Sequence, residues 1–130
     1  MKNKIKKYLI IDAANEKIIF KIIDNNKTYT NDYENSRKNF DRFALLLFNF
    51  LKQNMISFNA INVVLVNLGP GKYSSIRTSI STLKALNLVF KFKICGFSSK
   101  DVEKYDYSRV LDLSKKGKLI KNLIKPLYMS

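Results

Sequence analysis

The sequence contains no histidine, no tryptophan and a single cysteine, Cys95. Without an imidazole there is no neutral-pH general base, no serine–histidine pair and none of the common zinc-ligand sets. One thiol cannot form a disulfide within the chain, which is typical of proteins in the reducing cytoplasm. The first apolar run, residues 8–11, is too short for a signal-peptide core or a membrane span. We therefore expect a soluble, cytoplasmic protein that does not contact a membrane.

Acidic residues are also scarce, and none occurs in the 59 residues between Asp41 and Asp101. A nuclease that uses two Mg²⁺ ions needs several converging carboxylates, and an ATPase needs acids together with phosphate-binding loops. Asp12 stands alone at the end of an apolar run, so we interpret it as a strand-end hydrogen-bonding residue. We expect no catalytic residue, no metal site and no cofactor.

Positive charge is abundant and dispersed. The 130 residues have a formal net charge of +14, and residues 1–40, 41–90 and 91–130 carry +4, +4 and +6. A dispersed charge is typical of a general drift in composition, yet it also attracts polyanions such as RNA at low salt. Both interpretations remain open at this point.

Apolar periodicity predicts five strands and two long helices in the order β-β-β-α-β-α-β. A strand, a glycine turn, a helix and a strand form a parallel crossover, so the last two strands should be parallel neighbours. This predicts an α/β protein with a mixed sheet, the arrangement of actin-like and ribonuclease-H-like half domains. The predicted strands are residues 6–12, 17–23, 27–30, 61–66 and 91–95, and the predicted helices are residues 36–54 and 76–90.

The length and the apolar fraction of 46% predict one core. We assign residues 1–97 to the actin-like domain and residues 98–130 to a short irregular C-terminal tail. In that tail, Ser99 is a candidate cap of a short helix, and residues 110–113 are a candidate strand fragment. Ser36 is the candidate cap of the first long helix.

Both predicted helices have more apolar or uncharged surface than one sheet can bury. The apolar side chains of the first helix fill an arc of about 200°, twice the roughly 100° stripe of a surface helix. The far side of the second helix has small side chains where a solvated helix would carry charges. The alternative is that the C-terminal tail covers these surfaces. We predict a partner interface that includes Phe43, Leu46, Leu47, Phe50, Thr78, Ser81, Thr82, Ala85, Leu88 and Val89.

A glycine loop precedes the second helix. Glycines let a backbone approach a ligand, and the amides at a helix start attract phosphate, so the loop is a candidate anion site. A sharp turn from strand to helix needs glycine for conformational reasons alone, which is the competing explanation. Ser74 and Ser75 are interpreted as helix caps rather than nucleophiles, and Arg77 binds either an anion or a carboxylate. The candidate anion-binding residues are Gly69, Gly71, Lys72, Ser74 and Arg77.

The sequence around this loop resembles a family signature. Residues 66–77 read Val-Asn-Leu-Gly-Pro-Gly-Lys-Tyr-Ser-Ser-Ile-Arg, and Leu-Lys-Ala-Leu and Gly-Phe-Ser-Ser follow at residues 83–86 and 96–99. With Ile-Asp-Ala-Ala at 11–14 and Pro-Leu-Tyr-Met at 126–129, they resemble the TsaB/YeaZ family. In that family a Gly-Pro-Gly-Ser-Phe-Thr-Gly-Leu-Arg loop opens a helix, and a Gly-Val-Ser-Ser segment follows the next strand.

The resemblance implies a non-catalytic subunit in the synthesis of threonylcarbamoyladenosine, next to the anticodon of tRNA. Subunits of this family pair through two N-terminal helices with a catalytic TsaD-type subunit, and the larger assembly includes a TsaE-type ATPase subunit. The resemblance thus implies only indirect contact with tRNA. Family members usually carry a second domain of similar size, so this chain resembles a shortened form. Asn35 stands where the family commonly has histidine, and Ser75 replaces a loop glycine.

Three alternatives to the interpretation as a subunit of this kind remain open. A second copy of the chain satisfies the same apolar helix surface in a homodimer. A free-standing basic RNA-binding module and a small metal-dependent nuclease of ribonuclease-H-like fold are alternatives from other functional classes.

Overall fold

A five-stranded mixed sheet forms the centre of the computed structural model, which describes residues 6–121. The strands are β1 (Lys7–Asp12), β2 (Lys17–Asp24), β3 (Lys27–Glu34), β4 (Val63–Asn67) and β5 (Lys93–Phe97). Their order in space is β3-β2-β1-β4-β5. β1 and β3 are antiparallel to β2, whereas β4 is parallel to both β1 and β5. The predicted mixed sheet and parallel crossover are confirmed.

β1 lies in the middle of the sheet and is buried on both faces. Leu9, Ile10 and Ile11 have no exposed surface. Ile11 lies opposite Phe20 of β2 and Val66 of β4. A strand that is covered on both faces reads as a continuous apolar run, which is why the sequence predicts it well.

β3 is an edge strand whose side chains alternate between a half-buried and an exposed side. The protein has two hydrophobic cores, one on each face of the sheet, and we call the larger one the main core. Tyr29 and Tyr33 pack against the main core, whereas Asp32 and Glu34 are exposed. The prediction ended this strand at residue 30, because the polar residues that follow do not read as an apolar run. Pairing with β2 carries the strand on to Glu34.

Three helices lie on one face of the sheet: α1 (Arg37–Asp41), α2 (Phe43–Gln53) and α3 (Tyr73–Leu86). Phe20 of β2 is central to this core, with the rings of Phe43 and Phe50 at 5.5 and 5.7 Å from its own. Edge-to-face and tilted ring pairs at such distances add to the stabilisation from burial. The first face of the sheet therefore holds the larger core.

The predicted helix over residues 36–54 is two helices that meet at Arg42. The Arg42 amide donates a hydrogen bond to the carbonyl of Asn39, and this bond closes the end of α1. Arg42 is the single residue between α1 and α2. The predicted cap at Ser36 is confirmed, because its hydroxyl accepts a hydrogen bond from the Asn39 amide at 3.3 Å. The break leaves α2 free to lie along the sheet.

Four residues that the sequence placed at a partner interface belong to the core instead. Phe43, Leu46, Leu47 and Phe50 are at most 7% exposed and share one buried cluster with the side chains of the sheet. The width of the apolar arc shows that α2 has surplus apolar surface, but not which part of the arc faces the sheet. The interface prediction is therefore corrected for these four residues.

The opposite face of the sheet is covered by α4 (Ser108–Lys115) and its flanking residues. Tyr107, Val110 and Leu119 are buried there in one cluster with Ile10 and Leu65. The prediction of an irregular tail is wrong for the described part of residues 98–130, and residues 110–113 are helical. The reason is that the central strands are apolar on both faces, so the second face also needs a cover.

The chain returns to the sheet after α4. Gly117 turns it with φ of 69°, and Ile120 then exchanges two backbone hydrogen bonds with Gly96 of β5, at 2.6 and 3.2 Å. A short 3₁₀ turn at Ser99–Asp101 is capped by the hydroxyl of Ser98 rather than that of Ser99. Residues 122–130, which include the Pro-Leu-Tyr-Met sequence, lie outside the described residues. No helix within residues 6–121 is long and apolar enough to cross a bilayer.

The paired variants Leu47→Ala and Leu45→Ala separate the buried side of α2 from its exposed side. Leu47 is fully buried and Leu45 is 52% exposed. We expect Leu47→Ala to lower the free energy of unfolding by about 2–5 kcal/mol, because it removes packed atoms and leaves a cavity. Leu45→Ala should cost less than about 1 kcal/mol. Urea denaturation followed by circular dichroism measures both, and equal losses would contradict this placement of α2.

Candidate functional site

A buried carboxylate lies where the parallel strands end. Asp12, the last residue of β1, is 1% exposed. One of its carboxylate oxygens accepts hydrogen bonds from the Asn67 side chain at 2.9 Å and the Ala14 amide at 3.2 Å, and the other accepts from the Tyr107 hydroxyl at 2.7 Å. Asp12 therefore has the strand-end hydrogen-bonding role that the sequence predicts.

Asn67 extends this network from the end of β4 to the segment after β5. Its side-chain oxygen accepts a hydrogen bond from the Gly69 amide at 2.8 Å and lies 3.1 Å from the hydroxyl of Ser99. The same hydroxyl lies 2.7 Å from the carbonyl of Pro70, and the Ser99 amide donates to the carbonyl of Gly69 at 2.9 Å. Asn67 is not among the site residues predicted from the sequence, although a polar residue that ends an otherwise apolar run is a visible signal.

The glycine loop packs against the turn between β1 and β2. A Cβ atom at Gly71 would overlap the carbonyl of Ala14, so only glycine fits this close approach. The Lys72 amide donates to that same carbonyl at 2.7 Å, and the Lys72 ammonium donates to the carbonyl of Asn35 at 3.1 Å. Gly69 has φ of 106°, which favours glycine. Backbone conformation and close packing are thus sufficient to explain why glycine occurs at both positions.

Three of the five predicted anion-binding residues, Gly69, Lys72 and Arg77, donate hydrogen bonds to protein groups. The amides of Gly69 and Lys72 already donate within the chain. The Arg77 guanidinium donates to the Tyr73 hydroxyl at 2.9 Å and lies over the Tyr73 ring at 5.1 Å, so its partner is an aromatic ring. Ser74 is exposed in the first turn of α3. The anion prediction stays a prediction, and it has lost two of its amide donors.

Asn35 joins three segments through one buried side chain. Its amide nitrogen donates to the carbonyls of Ala13 and Asn15 at 2.9 and 2.7 Å, and its oxygen accepts from the Ser75 hydroxyl at 2.7 Å. Ser74 and Ser75 are not helix caps, because α3 begins at Tyr73 and Ser75 is buried in its first turn. The two positions that depart from the family pattern, Asn35 and Ser75, therefore contact each other.

The exposed side of α2 and α3 is the second candidate site. We call one part of it the outer helix face, which is defined as Leu45, Phe48 and Lys52 of α2 with Thr78, Ser81, Thr82 and Ala85 of α3; Arg77 and Lys84 of α3 are also exposed. Leu45 and Phe48 are 52% and 43% exposed. Ser81 and Ala85 are exposed, and the two threonines are half-buried. Because α4 packs on the opposite face of the sheet, no described residue of the C-terminal segment belongs to the core beneath α2 and α3.

The other two predicted interface residues lie just beyond α3. The predicted helix over residues 76–90 runs instead from Tyr73 to Leu86. Leu88 and Val89 follow it in a turn and are 80% and 71% exposed. They are surface apolar residues, as the interface prediction requires, but they are not part of a helix face.

The fold has known relatives among solved structures. YeaZ from Pseudomonas aeruginosa superposes with a TM-score of 0.65 and 15% sequence identity, over 72% of this chain and 44% of that chain. This chain has the YeaZ fold. A second P. aeruginosa structure, described as similar to peptidase YeaZ, gives the same TM-score and identity over 72% of this chain and 43% of its own. The chain thus spans less than half the length of the two YeaZ-type structures.

A third solved structure, of a protein bound to branched DNA, also shares this fold. RuvC from T. thermophilus, solved in complex with a Holliday junction substrate, superposes with a TM-score of 0.55 and 10% identity over 94% of this chain and 99% of that chain. Neither a protein-family model nor a curated protein sequence matches the chain. The YeaZ fold is therefore established by structure, at identities too low to carry function.

Tyr107→Phe tests the hydrogen bond that ties the C-terminal segment to Asp12. Burial, with a further contribution from the Asp12 carboxylate, raises the pKa of the Tyr107 hydroxyl far above its usual value. The protonated hydroxyl therefore stabilises the fold fully below about pH 10, and this stabilisation is lost as the pH rises further, because the unfolded tyrosine ionises there. We expect the variant to lose about 1–3 kcal/mol at pH 7.

The alkaline slope gives a second measure of the same group. Above about pH 10 the free energy of unfolding of the wild type should fall by up to about 1.4 kcal/mol per pH unit more than that of Tyr107→Phe. Urea titrations from about pH 7 to about pH 11 measure both quantities. Tyr105→Phe, at a side chain that is 40% exposed, is the control. Equal stability of the two variants across this range would remove the structural role of Tyr107.

Proposed function

We propose that the chain is a non-catalytic subunit of the TsaB/YeaZ type, which binds a TsaD-type catalytic subunit in the synthesis of threonylcarbamoyladenosine on tRNA. The YeaZ fold supports this proposal. So does the arrangement of the motif residues: the loop after β4 and the Ser99 segment after β5, which are far apart in sequence, are joined by hydrogen bonds. The motif is thus one structural unit.

The observation that carries the proposal is the composition of the outer helix face. A solvated helix surface normally carries charges of both signs, whereas here Leu45 and Phe48 of α2 are about half exposed, and the exposed Ser81 and Ala85 of α3 are small. Full burial of a Leu or Phe side chain stabilises by roughly 1.5–3 kcal/mol, so about half of that remains available to a partner at each position. Ser81 and Ala85 allow a partner helix to approach closely.

The chain contributes support rather than chemistry in this proposal. Its main core fixes α2 and α3 on the sheet, since Leu47, Phe50, Ile80 and Leu83 are at most 4% exposed. A rigid pair of helices presents a constant surface, on which the catalytic subunit packs and keeps its active conformation. The polar network at the strand ends holds the loop that precedes α3 and so fixes the start of that helix.

The likeness to RuvC raises the nuclease alternative, and the site geometry speaks against it. Both carboxylate oxygens of Asp12 accept hydrogen bonds from protein donors. Within residues 6–121 no group of three or more His, Cys, Asp or Glu side chains is placed to hold a metal ion. Two-metal cleavage needs several such ligands around the reacting phosphate. We therefore do not propose a nuclease function.

Ala85→Arg tests the proposed docking. The arginine adds volume and charge at an exposed small residue of α3, so the fold should persist while the affinity for the TsaD-type subunit falls by at least about thirtyfold, the size of a 2 kcal/mol hot-spot loss. Thr28→Arg, at an exposed position on β3, is the matched control. Isothermal titration calorimetry gives the affinities. Unchanged binding by Ala85→Arg would refute docking through this face.

A cleavage assay tests the alternative function. We expect the chain to leave a Holliday junction and a tRNA intact in the presence of Mg²⁺, because the described residues 6–121 place no group of three or more His, Cys, Asp or Glu side chains where it could hold a metal ion. Gel electrophoresis of end-labelled substrates detects cleavage. Mg²⁺-dependent cleavage that disappears in Asp12→Asn would overturn this assignment.

A further inference from the structure

We propose that the outer helix face selects an acidic protein partner, one that inserts an apolar side chain into a cavity at the end of α2 and surrounds it with carboxylates. This inference rests on the proposed function and adds to it the chemistry of the partner surface. It is derived from the charges around the face, the shape of the cavity and the conformation of one exposed methionine.

The first step is the charge of the face. Residues 42–100 contain no Asp or Glu. Arg42 and Lys52, at the two ends of α2, and Lys91, just before β5, are exposed and form no ion pair with any described residue. These three exposed cations of the helix layer therefore have no ion-pair partner among residues 6–121. Complementary charge on a partner speeds association and excludes wrong partners.

The second step is an open cavity of about 440 Å³ beside Phe48. Three aromatic rings line it: Phe58 stacks on Phe90 with centroids 5.1 Å apart, and Phe48 meets Phe58 edge to face at 5.2 Å. Lys52 and Met55 also line it. A cavity with apolar walls and a lysine at its border fits an apolar side chain that has a carboxylate next to it.

The third step is the conformation of Met55. It follows α2 with φ of 57° and is 93% exposed. Its amide donates to the carbonyl of Lys52 and the Ile56 amide donates to that of Leu51, which is the usual helix ending with a left-handed residue. Glycine is favoured at that position, and a residue with a Cβ atom is disfavoured. With 93% of its surface exposed, Met55 buries little of its side chain against residues 6–121, so we assign that side chain to the partner contact.

The fourth step concerns the other two occupants. In a symmetric dimer the same patch meets itself, so a second copy would place cations opposite a face without acids. Residues 122–130 of the chain contain Lys125 and no Asp or Glu, so they cannot neutralise the face through side chains. An acidic partner satisfies the charge and the cavity together.

The experiment measures binding of the full chain to the TsaD-type subunit of the same genome by calorimetry at about 50 and about 500 mM salt. Wild-type affinity should fall at least about tenfold at the higher salt, because salt screens exposed charges. Lys52→Glu should weaken binding at least about tenfold at low salt, whereas Lys27→Glu, at the exposed first residue of β3, should stay within about twofold.

Met55→Gly gives a readout that a purely structural role would not produce. Glycine adopts the left-handed conformation without steric strain, so the thermal midpoint of the variant should rise by a few degrees. The same variant should bind the partner about tenfold more weakly, since it lacks the side chain that enters the contact. A Met55→Gly protein that binds like the wild type overturns the assignment of this side chain.

The remaining outcomes separate the competing explanations. Binding that ignores both salt and Lys52→Glu overturns this inference and leaves the proposed function standing, whereas no binding at either salt overturns both. Sedimentation of the chain alone should show monomers at low salt, and a stable low-salt dimer would assign the face to a second copy. Tighter partner binding by Leu127→Glu would assign the cavity to residues 122–130.

Discussion

The carboxylate of Asp12 joins three parts of the chain that lie far apart in the sequence. It accepts hydrogen bonds from the turn after β1, from the end of β4 and from the residue that precedes α4. A buried charge without such partners would be strongly destabilising, so these contacts hold the two layers of helices to one end of the sheet. In open α/β sheets this end is where ligands usually bind. Here Asp12 and Asn67, the last residues of β1 and β4, are buried and hydrogen-bonded to protein groups.

The division of the sheet into two covered faces explains the shape of that surface. The tail that follows β5 packs on the second face, through Tyr107, Val110 and Leu119, and so leaves the outer side of α2 and α3 unoccupied by residues 6–121. RuvC matches the chain over nearly its whole length, while YeaZ matches a smaller share. Residues 6–121 thus cover both faces of the sheet, and the low identities leave the role of the chain to be decided by the residues on its surface.

Local patterns in the sequence predict the strands and their topology, because each depends on neighbouring residues. Apolar runs give β1, β2 and β4, and the crossover rule makes β4 and β5 parallel. The break at Arg42 and the helical state of residues 108–115 were not predictable in this way, since short segments carry too few apolar repeats to separate helix from strand. The prediction also placed four buried residues of α2 at the partner interface, because an apolar arc of about 200° does not show which part of it faces the sheet.

The polar network illustrates a different limit. Asn35 and Ser75 are 40 residues apart, and Asp12 and Tyr107 are 95 residues apart, so their contacts exist only once the sheet has formed. Among the loop residues, Gly71 and Lys72 were singled out for an anion, and the structure gives both a contact with the Ala14 carbonyl. A sequence pattern can identify unusual residues at a turn without showing which neighbour requires them.

The edges of the sheet have a consequence for self-assembly. A bare strand edge recruits other strands, and charged residues along an edge discourage such growth. β3 carries Lys27, Asp32 and Glu34 at its exposed positions, and at the far end of the sheet Ile120 already occupies the backbone groups of Gly96. Both edges of the sheet thus oppose polymerisation by strand addition. The helices are therefore the more favourable surface for association with another protein.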